Sequence, residues 1–197
     1  MRELSLEQLT QGRLKALQNA IDLISDAECL FKDGRWARSV FLSQIAIEEL
    51  GKYLIIMGAI GNLIAGQIEW SKFWKRFVNH LEKTGNIFYF DAALSPFQEQ
   101  QEILRNFEKA DTDAEEFLKE KLSSLYVDFR NDRFVLPMDE VNEKIAKGAI
   151  ENAKAVLSFF ELGETHVFSK ANLGSLSAST QQRIQEEIGN LSTKLET

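Results

Sequence analysis

The sequence predicts an all-α fold, a helical bundle of about five to six helices. Hydrophobic residues recur at helical spacing along most of the chain. The alternation of apolar and polar residues that marks a half-buried strand never lasts long. Only two prolines, which interrupt helices, occur among the 197 residues.

The first helix is predicted to run from about Ser5 to about Lys32. Ser5 and Gln8 have the spacing of a capping box, which satisfies free N–H groups at a helix start. Gly34, within "KDGR", supplies a stop signal. The apolar residues at helical spacing are Leu6, Leu9, Leu17, Ile21, Ile24 and Phe31.

The second helix is predicted to contain "SVFLSQIAIEELGKYLIIMGAI", which holds only three charges in 22 residues: Glu48, Glu49 and Lys52. A helix that is apolar nearly all round lies at the centre of a bundle. Charges in its middle are costly unless they are paired or hydrogen-bonded. The glycines of "GAIGNLIAGQ" are expected to break or bend the chain after it.

Three further helices are predicted, over about residues 69–83, 97–125 and 139–163. The helix over 97–125 is expected to have a break near 111–113. The aromatic, turn-like stretch 84–96 is expected to be a loop. A short hairpin-like insert is predicted near 126–137, with Asn131 and Asp132 as its turn.

The sequence predicts two parts, a helical-bundle domain over 1–163 and a polar C-terminal extension over 164–197. The extension is rich in serine and is expected to contain one further helix near 180–195.

Composition narrows the class of protein. The net charge of −7 and the pI of about 5.0 argue against a general polyanion binder, because phosphate contacts need lysine and arginine. A single cysteine, Cys29, excludes an internal disulfide framework. The longest uncharged apolar run, 53–66, has 14 residues, whereas a membrane span needs about 20. The N-terminus is charged and amphipathic, unlike a signal peptide. We therefore expect a cytoplasmic protein without membrane contact.

Two interpretations of the charged centre are open. In the first, Glu48 and Lys52 form an ordinary i,i+4 pair, and Glu49 reaches solvent through a gap. In the second, the charges belong to a polar site inside the bundle that other helices complete. An i,i+4 pair stabilises an exposed helix by only about 0.2–0.5 kcal/mol, which does not explain charges on a buried one.

Three short elements resemble the AbiV family of abortive-infection (phage-defence) proteins. "GRWARSVFLSQIAIEELGKYL" at 34–54 is similar to the family's glutamate-glutamate-small-glycine-lysine signature. "NHLEK" at 79–83 is similar to its histidine-and-lysine element. "LYVDF" at 125–129, followed by Pro137, is similar to its leucine-tyrosine-valine-aspartate element. The resemblance extends over about residues 35–160.

The resemblance implies a HEPN-like bundle, since AbiV is usually placed in the HEPN superfamily. HEPN domains commonly dimerise, and many are metal-independent ribonucleases of defence systems. The candidate catalytic residues that follow from the matched elements are Glu48, Glu49, Lys52, His80, Lys83, Tyr126 and Asp128.

The chain departs from the usual HEPN catalytic motif, in which four to six residues separate an arginine from a histidine. Arg76 lies four positions before His80, which leaves three residues between them. At the end of the predicted helix over about 97–125, "KLSSLY" places a cation and a hydroxyl at the spacing of that motif, without a histidine. Whether the protein is an enzyme stays open at this point.

Two roles for His80 fit the same arrangement of side chains. It either forms a structural hydrogen bond with Glu48 or Glu49, or is oriented by that carboxylate to act as an acid or base. Lys83 is expected to pair with the other carboxylate. Asp128 either closes this site with Tyr126 or only caps the hairpin turn.

The basic face of the third helix, with Lys72, Arg76 and Lys83, is a candidate for RNA binding, the alternative being a solvated face. A carboxylate-bridged di-metal site needs Glu-x-x-His motifs, but Phe77 and Gly163 precede the two histidines by three positions. No phosphate-binding glycine loop is present, so we expect neither a metal nor a cofactor.

The resemblance implies an antiviral role by abortive infection, as an RNA-directed toxin that blocks host translation or growth when triggered. The alternative is a non-catalytic protein-binding module whose charged cluster is structural. The expected partners are a second copy of the chain, a phage-encoded or host trigger protein, and RNA.

Overall fold

The computed structural model describes residues 2–94 and 100–166, and there it confirms the all-α bundle. The helices are α1 (Leu6–Lys32), α2 (Trp36–Ile64), α3 (Trp70–Val78), α4 (His80–Leu94), α5 (Gln100–Ser123), α6 (Pro137–Glu140) and α7 (Glu143–His166). The strands β1 (Asp128–Arg130) and β2 (Arg133–Val135) form an antiparallel hairpin between α5 and α6.

Helix α2 is the centre of the bundle, as its composition predicts. It packs against all the other described helices. Its apolar side chains meet α1, α4 and α7 in one core, and α1 and α3 in another. The middle of α2 is therefore mostly enclosed by protein, with Glu48 3% exposed and Lys52 23% exposed.

Helix α1 begins and ends as predicted. The Ser5 hydroxyl accepts from the Gln8 N–H at 3.2 Å, and the Gln8 side chain accepts from the Ser5 N–H at 2.9 Å. Gly34 follows the helix with φ +73°, a left-handed conformation that favours glycine.

The predicted break after α2 is wrong in position. Gly58 and Gly61 remain inside α2, which continues to Ile64. A glycine inside a helix costs only about 1 kcal/mol relative to alanine, so packing of the other residues maintains the helix. The left-handed turn comes at Gly66, with φ +70°.

The predicted third helix and the loop after it need correction. The helix breaks at Asn79, whose extended backbone separates α3 from α4. The Asn79 side chain accepts from the Glu82 N–H at 3.2 Å and so caps the new helix. The expected loop is helical as far as Leu94, and its Phe90 packs against Phe160 of α7.

The hairpin is confirmed, with Phe129 opposite Phe134. Both turn residues, Asn131 and Asp132, have positive φ, of 51° and 60°, as a tight hairpin turn requires. Helix α5 has no break near 111–113. The expected fifth helix instead starts at Glu143, after the short α6.

Other predictions lie outside the described residues: the start of the fourth helix near 97, the helix near 180–195, and the part of the C-terminal extension beyond His166. The domain limit at 163 stays a prediction. Among the described residues, no helix has the length and apolar character needed to cross a membrane.

A buried polar network joins α1, α2 and α7. The Arg13 guanidinium donates to the Tyr53 hydroxyl at 2.9 Å and to the Glu164 carboxylate. The Tyr53 hydroxyl donates to the same carboxylate oxygen at 2.5 Å. Burial and this bond raise the pKa of Tyr53 above its usual range. The network connects the first and last described helices to the central one.

Candidate functional site

The centre of the site is Glu48, which lies in the middle of α2 with its side chain only 3% exposed. Its two carboxylate oxygens bind side chains from two other helices. Oε1 accepts from the Lys121 ammonium of α5. Oε2 lies 2.6 Å from His80 Nδ1 and 3.4 Å from Lys83 Nζ, both of α4. The carboxylate thus joins three helices.

Glu48 is held in its ionised form. Burial by itself would raise the pKa of Glu48, but hydrogen bonds from Lys121 and His80 and the nearby ammoniums hold that pKa below its ordinary value. Burial lowers the pKa of Lys83, and the attraction of Glu48 opposes that shift. The cluster is therefore a buried carboxylate held by cations.

His80 is the member of this cluster that solvent reaches. Its side chain is 59% exposed, whereas those of Lys83 and Lys121 are 5% and 4% exposed. Because ionised Glu48 can only accept, a hydrogen bond across the 2.6 Å contact places a proton on His80 Nδ1, which also lies 3.4 Å from the Lys83 and Lys121 ammoniums. In the neutral ring, Nε2 then carries a lone pair and can accept a proton.

The glycine of "EELGK" sets the spacing between α2 and α4. A methyl group on Gly51 would lie 2.0 Å from the carbonyl oxygen of Lys83 and 2.6 Å from its carbonyl carbon. Only glycine allows the two backbones to approach this closely. The close approach brings the first turns of α4, and with them His80 and Lys83, to Glu48.

Glu49 and Lys52 form a separate ion pair at i,i+3 spacing. The Glu48–Lys52 pair of the first interpretation does not form, and other helices complete the Glu48 cluster, as in the second. Lys83 pairs with Glu48, the carboxylate that His80 also contacts, and not with the other one. The physical reason is that successive residues of a helix point about 100° apart. Glu48 therefore faces α4 and α5, whereas Glu49 and Lys52 line a pocket bounded by α1 and α3.

Tyr126 and Asp128 lie together on the lining of a surface depression of about 340 Å³. Tyr126 is 60% exposed. Asp128 accepts from Arg130 Nε at 2.6 Å and from the Phe129 N–H at 2.8 Å, and the Arg130 bond lowers its pKa. In the described part of the chain, no hydrogen bond or ion pair joins either residue to Glu48 or His80.

Lys72 and Arg76 of α3 lie on the lining of another depression, of about 470 Å³. Lys72 pairs with Glu69 at 2.8 Å. Arg76 donates to Glu82 at 3.2 Å and to Asn86 at 2.9 Å. Nearby acceptors thus already engage both cations.

Lys121 was missing from the residues that the sequence suggested. It opens "KLSSLY", the stretch with a cation and a hydroxyl at motif-like spacing, so a signal was present. The structure brings the lysine, and not the hydroxyl of Tyr126, to the carboxylate. Over 2–94 and 100–166, no three histidine, cysteine, aspartate or glutamate side chains are grouped as a metal site.

Three comparisons with known proteins bear on the family of the chain. A family model described as AbiV, of the HEPN type, matches residues 8–158, which include Glu48, His80 and Lys121. A search of curated proteins and a search of solved structures found no match.

Proposed function

The chain belongs to the AbiV family of HEPN-type abortive-infection (phage-defence) proteins, and on that premise we propose that it is an RNA-directed toxin. The observation that carries the proposal is a solvent-exposed imidazole bound through Nδ1 to a buried carboxylate. This is the arrangement by which a carboxylate fixes the tautomer and orientation of a catalytic histidine.

The proposed chemistry is metal-independent cleavage of the RNA backbone. His80 Nε2 takes the proton of a 2′-hydroxyl, and the resulting oxygen attacks the adjacent phosphorus. The 5′-oxygen leaves with a proton from solvent. The products are a 2′,3′-cyclic phosphate and a 5′-hydroxyl. Glu48 orients the imidazole and stabilises the imidazolium, while Lys83 and Lys121 keep Glu48 ionised.

The candidate RNA contacts are two exposed cations of α3, Lys72 and Arg76. The depression that contains Tyr126 and Asp128 is a second candidate RNA contact, because Lys119 and Arg130 also line it. The cations of these two depressions would position phosphates, and His80 would supply the chemistry.

The test compares wild type with His80→Asn and His80→Ala on total RNA, with and without phage lysate as a source of trigger. The asparagine amide nitrogen replaces Nδ1 as a donor to Glu48 but cannot accept a proton as imidazole does. We expect cleavage with cyclic-phosphate ends in wild type and none in either variant.

Equal cleavage by wild type and His80→Asn would refute the catalytic role. Absence of cleavage by wild type under both conditions would refute the ribonuclease proposal. Exposed Glu151→Gln, on α7, is the control and should cleave like wild type.

The second candidate function is a non-catalytic protein-binding module, in which the Glu48 cluster only holds helices together. The observation that favours it is a group of exposed apolar side chains on and around the hairpin. They are Tyr126, Val127, Phe129, Phe134, Leu136 and Met138. Patches of this kind mark protein contacts in soluble proteins. The partner that we propose is a second copy of the chain, with a phage or host trigger protein as the other outcome.

Light scattering at micromolar concentration tests this interface with Phe134→Asp, since Phe134 is 78% exposed. We expect a dimer for wild type and a folded monomer for the variant. A wild-type monomer would refute self-association and leave the trigger protein as the partner to test.

A further inference from the structure

A pocket of about 450 Å³ lies between α1, α2 and α3, and the ion pair Glu49–Lys52 lies on its α2 wall. Pockets for small ligands typically have about 300–1,000 Å³, a mostly apolar lining and a few polar groups that fix the orientation of the ligand. This pocket has such a lining. Neither Glu48 nor His80 lines it, so it is separate from the site proposed for RNA cleavage.

The pocket has a polar end and an apolar end. The short turn at 33–35 makes α1 and α2 antiparallel neighbours, and Gly12 lies beside Ile56. Residues of α1 after Gly12 therefore share one end of the pocket with residues of α2 before Ile56. The polar end consists of Lys15, Asn19, Glu49 and Lys52. The apolar end consists of Leu4, Leu9, Ile56, Phe73 and Trp74, which belong to one hydrophobic cluster.

The polar end has an acceptor and a cation that the protein leaves free. The Glu49 side chain is only 12% exposed, and its Oε1 binds the Lys52 ammonium. That ammonium is also engaged by Phe77, whose ring centroid lies 5.7 Å from it. Across the described residues, Glu49 Oε2 has no hydrogen-bond partner, and Lys15 has no ion pair or hydrogen bond. A ligand that satisfies both must supply a donor and an acceptor.

The α1 wall contains a glycine that packing between helices does not require. A methyl group on Gly12 would meet only Ile56 Cδ1, at an ordinary 3.6 Å. Its φ is not positive, so backbone conformation does not require glycine either. Glycine inside a helix is less favourable than alanine. Its position on the lining explains it, because a larger side chain there would occupy the pocket.

We propose that this pocket binds an α-amino acid with an apolar side chain. The ammonium of such a ligand donates to Glu49 Oε2, and its carboxylate accepts from Lys15. The apolar side chain of the ligand lies at the apolar end, where leaving water stabilises it. A ligand with a carboxylate alone has no donor for Glu49, and one with an amine alone has no acceptor for Lys15. Binding here does not depend on RNA cleavage.

Isothermal titration calorimetry on the full chain tests the proposal with leucine, methionine and phenylalanine, and with serine as an amino acid that lacks an apolar side chain. Two analogues of leucine separate its charges, since isocaproate lacks the ammonium and isoamylamine lacks the carboxylate. We expect saturable binding of the three apolar amino acids. Binding of serine and of both analogues should be at least about tenfold weaker.

Variants locate the bound amino acid. Gly12→Leu, which fills the pocket, and Glu49→Gln, which removes the negative charge, should each weaken leucine binding at least about tenfold. Lys15→Ala should weaken it as well, whereas Lys15→Arg keeps a cation and should retain it. The control is Lys75→Ala, an exposed α3 residue outside the lining, which should bind like wild type. Circular dichroism checks that each variant is folded.

No saturable binding of an apolar amino acid by folded wild type would overturn the proposal, as would unchanged leucine binding by folded Gly12→Leu. Isocaproate that binds as tightly as leucine would overturn the contact between the ammonium and Glu49. Isoamylamine that binds as tightly as leucine would overturn the contact between the carboxylate and Lys15. RNA cleavage is not measured in these experiments, so the failure of either proposal is distinguishable from the failure of the other.

Discussion

Replacing Gly51 by alanine tests how closely α2 and α4 must approach to build the site. The new methyl carbon would lie 2.0 Å from the Lys83 carbonyl oxygen, so the backbones must separate by about 1.4 Å to reach ordinary contact at 3.4 Å. Overpacking costs about 1–3 kcal/mol, and a rigid backbone neighbour places this case at the upper end. The higher helix propensity of alanine offsets about 1 kcal/mol of that cost.

The net expectation for Gly51→Ala is a loss of about 2 kcal/mol, or about 4–8 °C in Tm for a chain of this length. The same movement would displace His80 from its 2.6 Å contact with Glu48, so phage defence should fall as well.

Gly58→Ala on the same helix is the matched control, because its methyl group would meet nothing within 4 Å. It should stabilise the protein by about 0.5–1 kcal/mol. Calorimetric melting of the three proteins measures the contrast. If Gly51→Ala melts at or above the temperature of Gly58→Ala, the close approach of the two helices is not a constraint on the fold.

Three further predictions concern the buried polar groups. Glu48→Gln should cost about 3–5 kcal/mol in urea unfolding, because buried ammoniums lose their counter-charge; exposed Glu82→Gln should change stability by less than about 1 kcal/mol. The pKa of Glu48 in the folded protein lies below its unfolded value of 4.5. Ionised Glu48 therefore stabilises the fold above pH 4.5, and this contribution is lost as the pH falls through the folded pKa. In urea unfolding at several acidic pH values, the free energy of unfolding should fall less steeply with decreasing pH for Glu48→Gln than for wild type. Equal slopes would contradict the lowered pKa of Glu48. Tyr53→Phe should cost about 1–3 kcal/mol by removing the hydroxyl between Arg13 and Glu164, and an unchanged urea midpoint would show that this network contributes little.

The sequence could predict that Glu48 has partners, because a charge inside an apolar helix is unfavourable without them. His80 was among the partners expected, since it lies beside the aromatic face of the helix predicted to follow the central one. The sequence could not assign the partners correctly. Glu48 and Glu49 are neighbours in the chain, but the helix points them at different elements, and only tertiary packing decides which elements lie there.

The break at Asn79 shows a second limit. Apolar periodicity continues on both sides of it, and nothing in that pattern distinguishes one helix from two. The deciding feature is local, since the Asn79 side chain bonds the Glu82 N–H and starts α4. His80 lies at the first position of the new helix for this reason, and the sequence reasoning placed it inside the old one.

Phage challenge of cells that express the His80→Asn variant tests the central claim most directly, with folded protein matched to wild type by soluble amount and Tm. If the imidazole held by Glu48 performs the chemistry of defence, His80→Asn keeps its Tm within about 2 °C of wild type and plates phage as efficiently as cells without the protein. Wild-type protection by His80→Asn would contradict the claim and would assign the cluster a structural role.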